Sequence, residues 1–315
     1  MKTKIISLLV LLIFSACNPK EDQPQVQKKP IITNEMEVQV FGIGRADAIL
    51  ITTENHTVLI DTGERSDGQP IANHLLSREI NEVDYLIITH FDNDHVGGAY
   101  VVLGRLDVKN VIIPNYVRES SHVNRFENAL EHAGLTPHVL TETIHFKLDN
   151  AEFMVTPTYL DLQYSADVED TDDDDDDDDE EEIESVFVSD DNFSIVVKVT
   201  HGENNFLFTG DAMASRLQEL LDNEKIVGTD YDFLKVPRHG RRTRHTVNFL
   251  NEINPRYAVI TGFHHRDEKK YAPERPTDRR VTRTLEEIGA EIFFTMDADV
   301  RAWSNGKEIR VGFLE

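Results

Sequence analysis

At 315 residues with 39% hydrophobic content, the chain can bury a substantial core as one large domain or two smaller ones, which excludes a protein disordered throughout. The formal net charge of -26 argues against a general polyanion binder, whose electrostatic footprint is a basic face. Fifteen acidic residues and no basic one fall between Asp167 and Glu184, so the remainder carries only -11.

The N-terminus comes first in chain order. Lys2 and Lys4 precede an apolar run over residues 5–14, broken only by Ser7, which is the layout of a secretory signal and too short for a transmembrane helix. Phe14-Ser15-Ala16-Cys17 resembles the lipobox of bacterial lipoproteins, which implies cleavage before Cys17 and a lipid anchor upon it. Cys17 is the only cysteine, so no intramolecular disulfide is available, and lipidation gives an exported thiol its reason. Residues 1–17 are therefore read as a signal and residues 18–35, polar and carrying three prolines, as a tether. The expected location is the bacterial cell envelope, periplasmic or surface-exposed.

Past the tether, MEVQVFGIG and DAILITTENHTVLIDTG carry alternating or continuous apolar runs with a turn at Glu54-Asn55, the pattern of an early antiparallel sheet. Ile71, Leu75, Leu76 and Ile80 recur at helical spacing over residues 70–80, and the strand YLIITH follows. A helix is expected after Gly97-Gly98, a strand over 111–113, and an amphipathic helix near 121–132. Further strands are expected over 153–155, 193–199 and 205–209, the last two joined by a turn containing Gly202. A helix over about 212–221 leads to strands at 233–236 and 257–261. The chain closes with a helix around 279–288 and strands at 291–295, 300–303 and 308–312.

The acidic run Asp172 to Asp179, extended by Glu180, Glu181, Glu182 and Glu184, interrupts this layout near 165–187. Like charges repel and do not pack, so it reads as a solvated loop. Calcium capture is the competing reading, but the glycine and spaced ligands of calcium loops are missing.

Ligand-type residues gather at the C-terminal edges of apolar strands. These are Asp61 after TVLI, then His90, Asp92, Asp94 and His95 after YLIIT, Asp211 after FLFTG, and His239 after FLKVP. Four ionisable groups within six residues of a buried strand are costly unless something of opposite charge holds them, and a metal is the natural candidate.

THFDNDHVGG resembles the H-x-H-x-D-H signature of the metallo-β-lactamase superfamily, with Asp92 where the middle histidine usually stands. That variant is similar to the lactamase-like domain of the competence protein ComEC and its stand-alone relatives. GIGRADAIL, TVLIDTG, NFSIVV, FLFTGD and LKVPRHG resemble further segments of that subgroup, in order, over roughly residues 37–313. The resemblance implies an α/β (α+β) fold, a four-layer αβ/βα sandwich over 36–315 with two divalent ions along one edge. His90 and Asp92 would bind the first ion, Asp94, His95 and His239 the second, and Asp211 would bridge them. The family's usual histidine between the two halves has no equivalent here, and the NFSIVV segment occupies its place. Asp61 would support the ligand loop through hydrogen bonds. Three imidazoles suit zinc and three carboxylates suit manganese, so the choice of metal stays open.

The implied chemistry is hydrolysis by a water shared between two cations, with Asp94 and Asp211 orienting it. His264 and His265 in GFHHR are candidates to protonate the leaving group, with a pair of surface histidines as the plainer reading. Arg238, Arg241, Arg242 and Arg244 flank His239, and guanidinium groups bind phosphate oxygens in pairs. They favour an anionic small-molecule or nucleic-acid substrate, unless they pair with neighbouring carboxylates instead. Two functions follow. One is a metal-dependent hydrolase of phosphodiester or other anionic substrates; the other is a surface-anchored binding protein on a catalytically degenerate scaffold.

Overall fold

The computed structural model describes residues 35–159, 189–263 and 277–314. Cys17, the signal, the tether, the acidic run, His264 and His265 lie outside the described residues.

Short apolar runs separated by turns build an antiparallel opening: β1 (Met36–Val40), β2 (Ile49–Thr52) and β3 (Thr57–Ile60). The chain then switches to parallel pairing, because α1 (Gly68–Ser77) carries it back between β3 and β4 (Glu82–Ile87). A single turn α2 (Asn93–Val96) and α3 (Ala99–Arg105) lead to β5 (Asp107–Pro114), and α4 (Ser121–Ala133) leads to β6 (His138–Leu140). Ser120 caps α4 by accepting from Val123 N–H, and Gly134 ends it at φ 68°.

The second half begins with β7 (Ile144–Leu148) and β8 (Ala151–Thr156), continues through the hairpin β9 (Val196–His201) and β10 (Asn204–Phe208), and returns to parallel pairing. There α5 (Ala214–Leu221), α6 (Glu224–Val227), β11 (Phe233–Lys235), α7 (Thr246–Ile253), β12 (Tyr257–Ile260), α8 (Arg279–Glu287) and β13 (Glu291–Phe294) follow in order. The last two strands, β14 (Val300–Ser304) and β15 (Ile309–Phe313), cross back to the first sheet. The result is an eight-stranded sheet ordered β15-β14-β1-β2-β3-β4-β5-β6 and a seven-stranded sheet ordered β13-β12-β11-β10-β9-β8-β7.

Side-chain alternation along the strands decides how the sheets stack. Ile51, Ile87, Phe206 and Phe208 point into the core between the sheets, with Phe153 and Phe233. Their neighbours Leu50 and Leu86 point the other way, onto α1, α3 and α4, with Leu75, Val102 and Phe126. Leu207 and Leu234 likewise meet Leu217, Phe249 and Val281 of the opposite helical layer. The central strands are thus buried on both faces, while β6, β7 and β15 keep exposed positions, which gives the four layers α, β, β, α. A large apolar side chain buried this way contributes roughly 1.5–3 kcal/mol.

Several expectations change. The strand expected from residue 193 starts at Val196, because residues 190–193 form a 3-10 turn capped by the Ser189 hydroxyl. Asn192 and Ser194 spend their polar groups on Arg216 and Asp211 instead of on a ladder. Strands β6 and β7 and helix α7 are additions, each too short to leave a clear periodic signal. Among the described residues, no helix is long and apolar enough to cross a membrane.

Candidate metal centre

Five parallel strands deliver the site. Asp61 follows β3, the Thr89–His95 segment follows β4, Asp211 follows β10, His239 follows β11 and Thr261 follows β12. Loops at strand carboxyl ends are free to carry polar groups while the sheets fix their bases. Asp61, Arg238 and His239 hold the left-handed backbone region, at φ 56°, 52° and 55°. Non-glycine residues adopt it at a cost of about 1–3 kcal/mol, a strain that clusters at functional sites.

The three histidines share one arrangement. His95 Nδ1 lies 2.8 Å from Asp61 Oδ2, His239 Nδ1 lies 2.9 Å from Thr261 Oγ1, and His90 Nδ1 lies 3.1 Å from Thr89 Oγ1. Each ring is thereby oriented through Nδ1, with Nε2 turned inward. All three Nε2 atoms are buried and make no hydrogen bond. Buried polar atoms left without partners are rare, so three converging imidazole nitrogens mark a place for a cation.

Carboxylates meet them there. His95 Nε2 is 3.4 Å from Asp211 Oδ1, and His239 Nε2 is 3.1 Å from Asp211 Oδ2 and 3.4 Å from Asp94 Oδ2. Donor atoms of His90, His95 and Asp211, and of Asp94, His95 and His239, fall within 4.8 Å of one another. A further such group joins His90 and Asp92 to Asp191. Imidazole and carboxylate donors in this number fit divalent ions of the zinc and manganese kind.

Asp61 accepts from both the Thr89 N–H at 2.8 Å and the Thr89 hydroxyl at 2.6 Å, besides meeting His95. It fixes the first residue of the ligand segment and one ligand ring together.

The electrostatics suit cation capture. Burial raises the Asp211 and Asp94 carboxyls, but the imidazoles of His239 and His95 outweigh it and hold both well below the usual carboxylate range; Lys235 adds to this at Asp211. Burial works against a charged His95, yet Asp211, Asp61 and Asp94 hold it well above the ordinary histidine range. A divalent ion placed there would replace those protons as the counter-charge. Burial pushes Asp191 up to about 6, opposed in part by Arg238.

Several residues at the site were not foreseen from sequence. Asp47, fully buried, accepts from the Thr261 hydroxyl at 2.6 Å and pairs with Lys235, while its backbone N–H bonds Asp94 O at 3.1 Å. Lys235, also buried, donates to Gly210 O at 3.0 Å and lies 3.4 Å from Asp211 Oδ1. Arg118, from the segment before α4, bonds Asp92 and Asp190. The segment GIGRADAIL contained the signal for Asp47; Arg118 and Asp191 left none that spacing could reveal.

The arginines beside His239 separate. Arg238 is buried and its Nε donates to Asp191 Oδ2 at 2.9 Å, so this guanidinium supports a carboxylate instead of facing a substrate. Arg242 Nε sits 3.6 Å from Asp278 Oδ2, and Arg241, Arg242 and Arg244 lie at or near the surface. Asp92 and Asp94, with side chains 35% and 24% exposed, are where the cluster opens to solvent.

Paired sheets carrying His/Asp clusters at one edge define a metallohydrolase type of fold. The family comparison is specific: residues 42–264 match the metallo-beta-lactamase superfamily, and the chain belongs to that superfamily. Among curated proteins it is similar to ComE operon protein 3 of Bacillus subtilis, 25% identical over 279 residues, covering 81% of this chain and 32% of that protein. Recombination protein 2 of Haemophilus influenzae is 26% identical over 232 residues, covering 71% and 24%. The chain thus spans a third or less of these relatives' length. Among solved structures, the metallo-beta-lactamase fold protein YhfI of Bacillus subtilis aligns with a TM-score of 0.52 at 9% identity, over 88% of this chain and 99% of that one. That likeness is one of fold.

Proposed function

We propose that this chain is a metal-dependent hydrolase acting on phosphodiesters or related anionic substrates, with two divalent ions at the strand-end cluster. The observation that carries the reading is the convergence of three buried imidazole Nε2 atoms, none of them in a hydrogen bond, with the carboxylates of Asp94 and Asp211. His90 and Asp92 would hold one ion and Asp94, His95 and His239 the other, with the Asp211 carboxylate close to both sets. Bound divalent ions supply Lewis-acid polarisation of the scissile group and a water acidic enough to attack at neutral pH.

The chain's own residues do the remaining work. Asp94 and Asp211 stay deprotonated, so their carboxylate oxygens accept hydrogen bonds from the attacking water and orient it. Asp61 and the Thr261–Asp47 pair keep the His95 and His239 rings from rotating. Arg241, Arg242 and Arg244, following His239 in the chain, attract phosphate oxygens toward the opening. Nucleic acid suits that chemistry, and the name of one relative, Recombination protein 2, agrees with it. We place the enzyme at the bacterial envelope, anchored by lipid on Cys17; loss of acyl labelling in Cys17→Ala tests the anchor.

Turnover of bis-p-nitrophenyl phosphate by metal-free protein, with manganese or zinc added back, tests the activity, with a chromogenic β-lactam as the contrasting substrate. Phosphodiester turnover that appears only with metal is the expected result. A protein that binds metal yet hydrolyses no phosphodiester, or prefers the lactam, overturns the reading. Asp211→Ala should lower kcat by at least about 100-fold, the scale set by the several kcal/mol that bound metal contributes.

A further inference from the structure

The superfamily resemblance leaves one ligand unaccounted for, the histidine normally found between the two halves. Beside the NFSIVV segment that stands in its place, the structure brings the Asp191 carboxylate near His90. The 3-10 turn over residues 190–193 enters β9 beside the His90 loop, and Asp191 Oδ1 lies 3.7 Å from His90 Nε2. The donor atoms of His90, Asp92 and Asp191 all fall within 4.8 Å of one another. His90 Nε2, wholly buried, points into this group without a hydrogen-bond partner.

The turn is fastened on every side. Ile195 N–H bonds Thr89 O at 2.9 Å, tying it to the segment that carries His90. Ser194 Oγ accepts from Asp211 N–H at 3.1 Å, tying it to the loop that carries Asp211. Arg216, fully buried, donates its backbone N–H to Asn192 Oδ1 at 3.1 Å and its guanidinium to Ser194 O at 3.2 Å and Thr156 O at 2.9 Å. Arg238 Nε takes Asp191 Oδ2 at 2.9 Å, which leaves Oδ1 on the side of His90. Holding one carboxylate oxygen and presenting the other is how supporting residues orient a ligand.

We propose that Asp191 is a direct metal ligand, completing with His90 and Asp92 the site nearer the first half of the chain, and that Arg238 positions it. The proposal rests on the two-ion reading given above. An oxygen in place of an imidazole nitrogen hardens this donor set, leaving one nitrogen beside the carboxylates of Asp92 and Asp191 and the nearby Asp211. The preference at this site therefore moves from zinc toward manganese or magnesium.

Equilibrium dialysis of the full chain at micromolar free metal, followed by elemental analysis, decides it. Wild type, Asp191→Ala and Asp191→His are loaded with manganese, zinc or an equal mixture, and bound manganese is also read by electron paramagnetic resonance. Wild type is expected to hold two ions per chain with a coupled two-manganese signal. Asp191→Ala should keep the ion at Asp94, His95 and His239 with unchanged affinity, which also reports correct folding, and bind the other at least roughly 100-fold more weakly, the upper scale for loss of a merely supporting residue. Asp191→His should hold two ions and favour zinc over manganese more than wild type does. Two ions in Asp191→Ala at wild-type affinity overturn the assignment but leave the two-ion reading standing. Fewer than two ions in wild type overturn both. Should Asp191→Ala not fold, Asp191→His decides alone, and an unchanged metal preference overturns the assignment.

Discussion

Lys235 has an unusual placement for its type. Its ammonium is wholly buried between Asp47 and Asp211, and those carboxylates hold it above its ordinary range although burial opposes them. Removing one member of a buried ion pair leaves an uncompensated charge, at a cost of about 3–5 kcal/mol. Lys235→Met should lower unfolding stability in urea by that amount in metal-free protein, and by less once bound cations offset the carboxylates. Asp61→Ala removes a support instead of a proposed ligand, so metal affinity should fall about 10–100-fold in a competitive chelator titration while the fold survives. Which residues were legible follows from how they act. His90, Asp94, His95, Asp211 and His239 sit in short segments whose residue types and spacing are themselves the signal. Asp47, Asp191 and Lys235 act through partners between 24 and 214 positions away, as in the Thr261–Asp47 bond, and only folding brings such pairs together.

At the scale of elements, α4 could be read in advance because burial of one face imposes a helical repeat, and the β2–β3 pair because two apolar runs flank a turn. The short β6 and β7 could not, since three to five residues hold too few repeats. The crossing of β14 into the first sheet is likewise a matter of tertiary pairing. One contact between elements is steric: a Cβ built on Gly98, which begins α3, would lie 2.3 Å from Thr62 O in the loop after β3. Gly98→Ala should therefore destabilise by about 1–3 kcal/mol, seen in a denaturation curve, and weaken metal binding by displacing His95, whose O bonds Thr62 N–H. Another contact is titratable. His201 of β9 meets Ser304 of β14 across the sheets at 2.8 Å, and burial holds its imidazole below the ordinary histidine range. The unfolded chain then takes up a proton first as pH falls past about 6.5, so the contribution to stability is intact above that pH and lost below it, down to the folded-state value. His201→Asn should flatten part of the fall in melting temperature as pH drops below about 6.5.

For the whole molecule, charge is the largest lever. Residues 167–184 hold fifteen of the acidic groups, and their field repels any anion that approaches. Deleting that stretch should raise kcat/KM on anionic substrates at low salt, and the gain should vanish at about 1 M salt, where the Debye length shrinks to about 3 Å. Unchanged kinetics at low salt would show that the run exerts no such field at the site.

Because β3 and β4 belong to one sheet and β10 and β11 to the other, an ion gripped by His95 and His239 spans the seam like a rivet through two plates. Its grip is added to the fold only while it is present. At a free concentration a hundred times its dissociation constant, one such ion contributes about 2.7 kcal/mol. A chelator in the surroundings would thus loosen the join between the halves as well as silence the chemistry, making the fold's resistance to unfolding a gauge of metal supply.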